Sequence, residues 1–132
     1  MEPFVEQIWR HPVKSLGAEK VNSVTLTKGE TLPWDRVWAL TYENSRFDIS
    51  NPVWSPCSVF LRGSIAPLFL AVTAKVIELD GSIEFNHPKL KSIHLNLYDQ
   101  LDRQEFIKWV APICPENAPK PSKLCRVIGR GM

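Results

Sequence analysis

The sequence predicts a mainly β protein, a small antiparallel β-barrel with one helix near its C-terminus. Several short runs of apolar and β-branched residues are separated by turn residues, a pattern typical of small barrels and sandwiches. Only residues 102–110 have apolar side chains at helical spacing. The chain of 132 residues is long enough for one domain with a buried core.

The first part of the chain contains three runs with the composition of strands. They end at His11-Pro12, at Lys28-Gly29 and at Glu43, where turn residues or charges follow. In the second run Val24 and Leu26 alternate with polar residues, which predicts a strand with one buried face. The predicted strands are residues 4–9, 21–27 and 37–42.

The second part of the chain begins with the clearest β signal, residues 68–79, followed by residues 82–85. The Asp80-Gly81 step between these runs predicts a hairpin. Residues 92–97 alternate polar and apolar side chains and predict another strand.

The segment 102–110 is predicted to be the helix. Phe106, Trp109 and Val110 would form its core-facing stripe, and Pro112 would end it. Asp102 is the expected N-cap, with Glu105 three positions later as in a capping box.

A domain boundary is predicted after residue 111. Residues 112–132 begin with a linker-like segment that contains four of the eleven prolines, followed by a strand-like run over residues 124–128. We therefore interpret residues 1–111 as one β domain and residues 112–132 as a linker and the start of a further domain. We expect the segment after Pro121 to be loosely packed and some apolar side chains to be exposed.

Composition and charge exclude several classes of function. The net charge of +2 comes from interspersed acidic and basic residues, so no concentrated basic face for nucleic acid is expected. Three cysteines without a CxxC pair disfavour a disulfide framework or a structural zinc site and favour a reducing cytoplasm. Neither a signal peptide nor a run long enough to span a membrane is evident.

The first candidate site is His11-Pro12-Val13-Lys14-Ser15. A lysine beside a serine offers an ammonium and a hydroxyl to one anion, and Gly17 would let the backbone approach a ligand. The alternative is a solvated lysine in a turn.

The second candidate is Arg36, which follows Asp35 and lies between Trp34 and Trp38 in sequence. An arginine held by a carboxylate and by aromatic stacking is pre-organised to present its planar fork to phosphate. The alternative is that Asp35 and Arg36 pair only with each other or with the backbone.

The remaining reactive side chains carry weaker signals. The three histidines have no metal-ligand spacing, so no metal ligand is predicted. Cys57 could be a catalytic thiol, but a plain small residue is the simpler interpretation. Cys125 lies in an apolar run and is predicted to be in the core.

The segments HPVKS, VNSVTLT and WDRVWAL, in this order and spacing, resemble the opening of the MOSC N-terminal β-barrel family. Members of that family often begin with Tyr/His-Pro-Val-Lys-Ser, followed by a strand, a turn with glycine, and Asp-Arg leading into an apolar strand. The matching parts here are residues 11–15, 21–27, 28–29 and 35–40. The resemblance continues along the chain but is weaker after Leu40.

The resemblance implies a role in binding the molybdenum cofactor, molybdopterin. Related proteins include the amidoxime-reducing component, bacterial reductases of N-hydroxylated compounds and the C-terminal part of molybdenum-cofactor sulfurase. In them the pterin lies between this domain and a following MOSC domain, and the Lys-Ser and Asp-Arg segments help hold its phosphate. By motif match that role falls on Lys14, Ser15 and Arg36. The match at Arg62 is too loose to imply a contact.

The resemblance also implies that this chain is not catalytic alone. The MOSC domain, which carries the family's reactive cysteine, is expected C-terminal to this chain, so no catalytic residue is predicted here. Full-length relatives are oxidoreductases or sulfurtransferases, and we expect neither activity from these residues. Membrane and nucleic-acid partners are not expected.

Two alternatives remain open at this point. The chain could be an interaction module that does not handle the cofactor, in which case Lys14, Ser15 and Arg36 should scatter. It could also be a small independent enzyme, which would require Cys57 in a pocket beside a base.

Overall fold

The computed structural model describes residues 1–126 and confirms a mainly β fold with one helix near the C-terminus. Its strands are β1 Ile8–Arg10, β2 Glu19–Val21, β3 Ala39–Tyr42, β4 Thr73–Ile77, β5 Ser82–His87, β6 Leu90–Leu95 and β7 Pro121–Cys125, and its helix α1 is Gln100–Val110.

All strand pairs within the three small sheets are antiparallel. Strand β1 pairs with β2, β3 pairs with β7, and β4, β5 and β6 form a meander. Isolated bridges add further contacts: Ala18, next to β2, pairs with Thr73 of β4, and Thr41 of β3 pairs with Phe60. Over residues 1–126 these contacts do not form a closed hydrogen-bonded barrel.

Part of the core lies between the meander and α1, and the same cluster continues to Val13, Leu40 and Leu124. Phe85 of β5 packs against Phe106 of α1 with ring centroids 4.8 Å apart, and Val110 is also fully buried. The helical stripe predicted from Phe106 and Val110 is therefore the face that covers the sheet. The predicted Asp80-Gly81 hairpin joins β4 to β5, with Gly81 at φ +76°.

The start of the helix differs from the prediction. The N-cap is Asp99, whose Oδ1 accepts hydrogen bonds from the backbone N–H groups of Leu101 and Asp102 at 2.8 and 3.2 Å. The Asp102 carboxylate instead accepts the Asn96 N–H at 2.8 Å. The prediction of Asp102 as the N-cap was wrong because a capping carboxylate three positions earlier was equally suitable.

Several predicted strands also have different bounds. The strand expected over 4–9 is β1, Ile8–Arg10, which begins four residues later. The strand expected over 21–27 is β2, which ends at Val21, and Leu26 is exposed rather than on a buried face. The run over 68–79 begins with a 3₁₀ helix, Pro67–Ala71, before β4.

The C-terminal part of the described chain is packed. Leu124 and Cys125 of β7 are buried against β3, which differs from the loose packing expected after Pro121 and places Cys125 in the core as predicted. Residues 127 and 128 of the predicted final strand lie outside the described residues. Large apolar side chains are exposed elsewhere, including Leu26, Trp54 and Leu79.

Candidate functional site

The two segments that carry Lys14 and Arg36 lie side by side. The Lys14 N–H donates to the Trp38 carbonyl at 2.8 Å, and the Trp38 N–H donates to the Pro12 carbonyl at 3.0 Å. The Arg36 N–H donates to the His11 carbonyl at 2.6 Å. These main-chain hydrogen bonds hold the two motifs next to each other although they are far apart in sequence.

Lys14 and Arg36 line one pocket of about 570 Å³. Two cationic side chains on one concave surface are a suitable arrangement for binding an anion. The other lining residues are Thr31, Asp35, Trp54, Ser55, Pro56 and Cys57.

Asp35 fixes the position of Arg36 in this pocket. Its Oδ2 accepts a hydrogen bond from Arg36 Nη1 at 2.5 Å, and its Oδ1 accepts the His11 N–H at 2.8 Å. The Asp35–Arg36 pair considered in the sequence analysis is therefore present. A guanidinium has five N–H donors, so one carboxylate contact leaves capacity for a further acceptor.

Ser15 lies next to Lys14 in a tight turn but is not among the residues that line the pocket. The turn is closed by the Leu16 N–H, which donates to the Val13 carbonyl at 3.0 Å. The structure thus brings Lys14 and Arg36 together, whereas Ser15 is a central residue of the Lys14 turn but does not line the pocket.

Both loops contain residues with left-handed backbone conformations. The φ angles are +64° at Ser15, +65° at Trp34 and +52° at Arg36. Such values are uncommon for residues other than glycine, cost free energy and are enriched at functional sites. The two loops therefore hold the pocket residues in a conformation that the surrounding structure must stabilise.

His11 is half-buried beside the Asp35–Arg36 pair. Burial lowers the pKa of its imidazole, the Arg36 charge lowers it further, and the Asp35 carboxylate opposes these effects. The imidazole is therefore mostly neutral at pH 7, and the positive charge of the site comes from Lys14 and Arg36.

Two expectations for this site, stacking of Trp38 on Arg36 and a close approach of Gly17 to a ligand, differ from the structure. Trp38 packs against Arg103 and Arg126, whose guanidinium carbons lie 5.8 and 5.7 Å from its ring centroid, whereas Arg36 pairs with Asp35. Gly17 is buried, and a Cβ added there would meet the side chains of the core rather than a ligand.

Arg10 and Glu19 were missed by the sequence analysis. Both are buried and form an ion pair in which Arg10 Nε lies 2.8 Å from Glu19 Oε2. The available signal was a charged residue at the end of an apolar strand, directly before the Lys14 segment. Its partner Glu19 could not be identified from the sequence, because Glu19 becomes adjacent to Arg10 only when β1 and β2 pair.

Cys57 is exposed and lines the same pocket as Lys14 and Arg36. Arg62 Nη1 lies 3.2 Å from its sulfur. A guanidinium stays protonated in proteins and does not act as a general base, so this contact gives no support for an enzyme based on Cys57. Burial raises the pKa of Cys125 to about 12, which makes that thiol unreactive.

Among residues 1–126, no group of histidine, cysteine and carboxylate side chains could hold a metal ion. The same residues contain no helix with the length and apolar character needed to cross a bilayer.

The fold and the pocket define a small β domain with a cationic site where two loops meet. The model of the MOSC N-terminal beta barrel domain matches residues 2–109, so the chain belongs to that family. The comparisons with curated proteins and with solved structures found no match.

Proposed function

We propose that this domain is the N-terminal half of a molybdenum-cofactor-binding MOSC protein and contributes to binding the phosphate of the pterin. Lys14 and Arg36 would supply the charged contacts and Ser15 a hydroxyl from the same turn. The observation that carries the proposal is that Lys14 and Arg36 line one pocket although they come from different loops. Membership of the MOSC N-terminal family supports the choice of cofactor.

The donor set of the pocket fits a phosphate. An ammonium is a compact point charge and a guanidinium presents two parallel donors, so together they match an anion with several oxygens. The Asp35 carboxylate in the same pocket would repel a phosphate, but it also fixes the Arg36 guanidinium. The bound cofactor would supply redox or sulfur chemistry, whereas the residues of this chain would bind and orient it.

The proposal includes a MOSC domain C-terminal to this one, with β7, Pro121–Cys125, packed as part of the present domain. Trp54 is 57% exposed on the wall of the pocket, where a second domain would cover it. No catalytic role is proposed for residues of this chain, and no oxidoreductase or sulfurtransferase activity is expected from it alone. Three free thiols are consistent with the reducing cytoplasm that we propose as its compartment.

Phosphate binding should stabilise the folded domain. A dissociation constant of about 10 mM would raise the free energy of unfolding by about 1.4 kcal/mol at about 100 mM phosphate. Phosphate also stabilises proteins without binding to a site, because it is excluded from their surface. The measurement is therefore the difference between wild type and the Lys14→Met/Arg36→Met variant, determined by denaturant unfolding in phosphate and in chloride at equal ionic strength.

Lys75→Met is the control for loss of a surface charge, because Lys75 is an exposed lysine on β4 that does not line the pocket. We expect wild type and Lys75→Met to gain more stability from phosphate than the double variant, by about 1 kcal/mol. Equal gains in all three proteins would refute the anion site and favour an interaction module that does not handle the cofactor.

A further inference from the structure

The buried guanidinium of Arg10 lies where three strands and one loop meet. Its Nε and Nη2 donate to the two carboxylate oxygens of Glu19 on β2, at 2.8 and 3.4 Å. Its Nη1 donates to Glu78, after β4, at 3.0 Å and to the Pro33 carbonyl at 3.3 Å. The Arg10 and Glu19 side chains are only 5% and 10% exposed.

Glu19 is in turn held by the neighbouring strand. Its Oε1 accepts the Val76 N–H of β4 at 3.2 Å, so both of its carboxylate oxygens have partners. The Arg10–Glu19 pair is therefore held in one arrangement, since a buried ion pair with its hydrogen bonds satisfied has few alternatives.

The Arg10–Glu19 pair lies next to the residues at which the two loops of the anion site begin. Arg10 is the last residue of β1, and the segment from His11 to Ser15 follows directly. Pro33, whose carbonyl Arg10 binds, directly precedes residues 34–36. One guanidinium thus connects the starting points of the two segments that carry Lys14 and Arg36.

The loop that Arg10 holds needs such support. Trp34 and Arg36 have φ angles of +65° and +52°, which are unfavourable for residues with a side chain. Without a tether at Pro33, the loop is expected to relax toward ordinary backbone angles and to move Arg36 away from Lys14.

We infer that Arg10, paired with Glu19, is a positioning residue for the anion site and holds the Arg36 loop in register with the Lys14 turn. The inference rests on the proposed function of that pocket. Arg10 is not a binding residue, because its guanidinium is buried and engaged by protein acceptors.

The test compares wild type with Arg10→Met/Glu19→Gln. The glutamine amide keeps an oxygen for the Val76 N–H and no charge is left buried alone, so the variant should fold. Two quantities are measured by NMR: the midpoint of an inorganic phosphate titration, and the hydrogen exchange of the His11 and Arg36 amides. Loss of the tether should raise the midpoint about tenfold, the equivalent of one hydrogen bond, and accelerate exchange at both amides.

Val110→Ala is the control for a merely structural effect, because Val110 is buried in α1 and does not line the pocket. It should lower stability while leaving the phosphate midpoint within about twofold of wild type. If the double variant does not fold, Arg10→Lys is used instead. It keeps a cation beside Glu19 but loses the planar guanidinium, and we expect a smaller increase of the phosphate midpoint.

An unchanged midpoint and unchanged amide exchange in a folded variant would overturn the positioning role. If wild type itself does not respond to phosphate, the proposed function fails, but the exchange rates at His11 and Arg36 still decide whether Arg10 holds the loop.

Discussion

Arg10→Met is expected to lower the free energy of unfolding by about 3–5 kcal/mol, because it leaves the buried Glu19 carboxylate without its partner. The Glu19 side chain is 10% exposed and lies 2.8 Å from Arg10 Nε, so little solvent reaches the carboxylate to replace the lost guanidinium. The loss also removes the contact with the Pro33 carbonyl. Denaturant unfolding of the purified domain measures the effect.

The other carboxylate partner of Arg10 provides the control. Glu78 is 63% exposed, so Glu78→Ala should cost less than about 1 kcal/mol. Adding Glu19→Gln to Arg10→Met should recover part of the stability, since the uncompensated charge is removed. A loss under about 1 kcal/mol for Arg10→Met would show that the pair contributes no more than a surface ion pair.

Gly17→Ala is expected to destabilise the domain by about 3 kcal/mol, the sum of backbone strain and steric overlap. The φ of Gly17 is +110°, which residues with a side chain rarely adopt. A Cβ at this position would lie 2.9 Å from the Ala74 Cβ and 3.3 Å from Phe85 Cε1. Both neighbours belong to the core and have little room to move.

Gly29→Ala separates these two contributions. Gly29 also has a positive φ, +79°, but an added Cβ would meet nothing within 4 Å. It should therefore cost only the backbone strain, about 1 kcal/mol. Thermal or denaturant unfolding of both variants gives the comparison, and equal effects would contradict the close packing of Gly17 against β4 and β5.

The helix and the hairpin were predictable because their signals are local. Phe106 and Val110 repeat at helical spacing, and Asp80-Gly81 has the turn chemistry that a two-strand connection needs. The capping residue was not predictable, since Asp99 and Asp102 are both suitable N-caps. Only the structure shows that Asp99 caps the helix while Asp102 binds the Asn96 N–H. The sequence pattern could indicate the helix but not its first residue.

The strand predicted over residues 21–27 failed for a non-local reason. Alternation of apolar and polar residues indicates a strand only if a partner covers the apolar face. Here β2 pairs with β1 through Glu19–Val21, and the apolar Leu26 beyond it remains 68% exposed. The pattern contained no information on where the pairing stops.

The candidate residues could be chosen from the sequence, but the contacts that hold them in place could not. Lys14 and Arg36 stand in short motifs with suitable chemistry, whereas their placement in one pocket depends on the main-chain hydrogen bonds of Trp38 to Pro12 and Lys14 and of Arg36 to His11. The position of Arg10 at the end of an apolar strand did not reveal its carboxylate partners, because they are nine and 68 positions away in sequence. Buried charge networks of this kind become visible only once the strands are paired.

The most direct test of the central claim is an NMR titration of the isotope-labelled domain with inorganic phosphate at constant ionic strength. The claim is that Lys14, Ser15 and Arg36 belong to one anion site. We predict saturable amide shifts that cluster on these three residues and on their hydrogen-bonded neighbours His11 and Trp38. Saturable shifts on another face of the domain, or none at the two loops, would contradict the account.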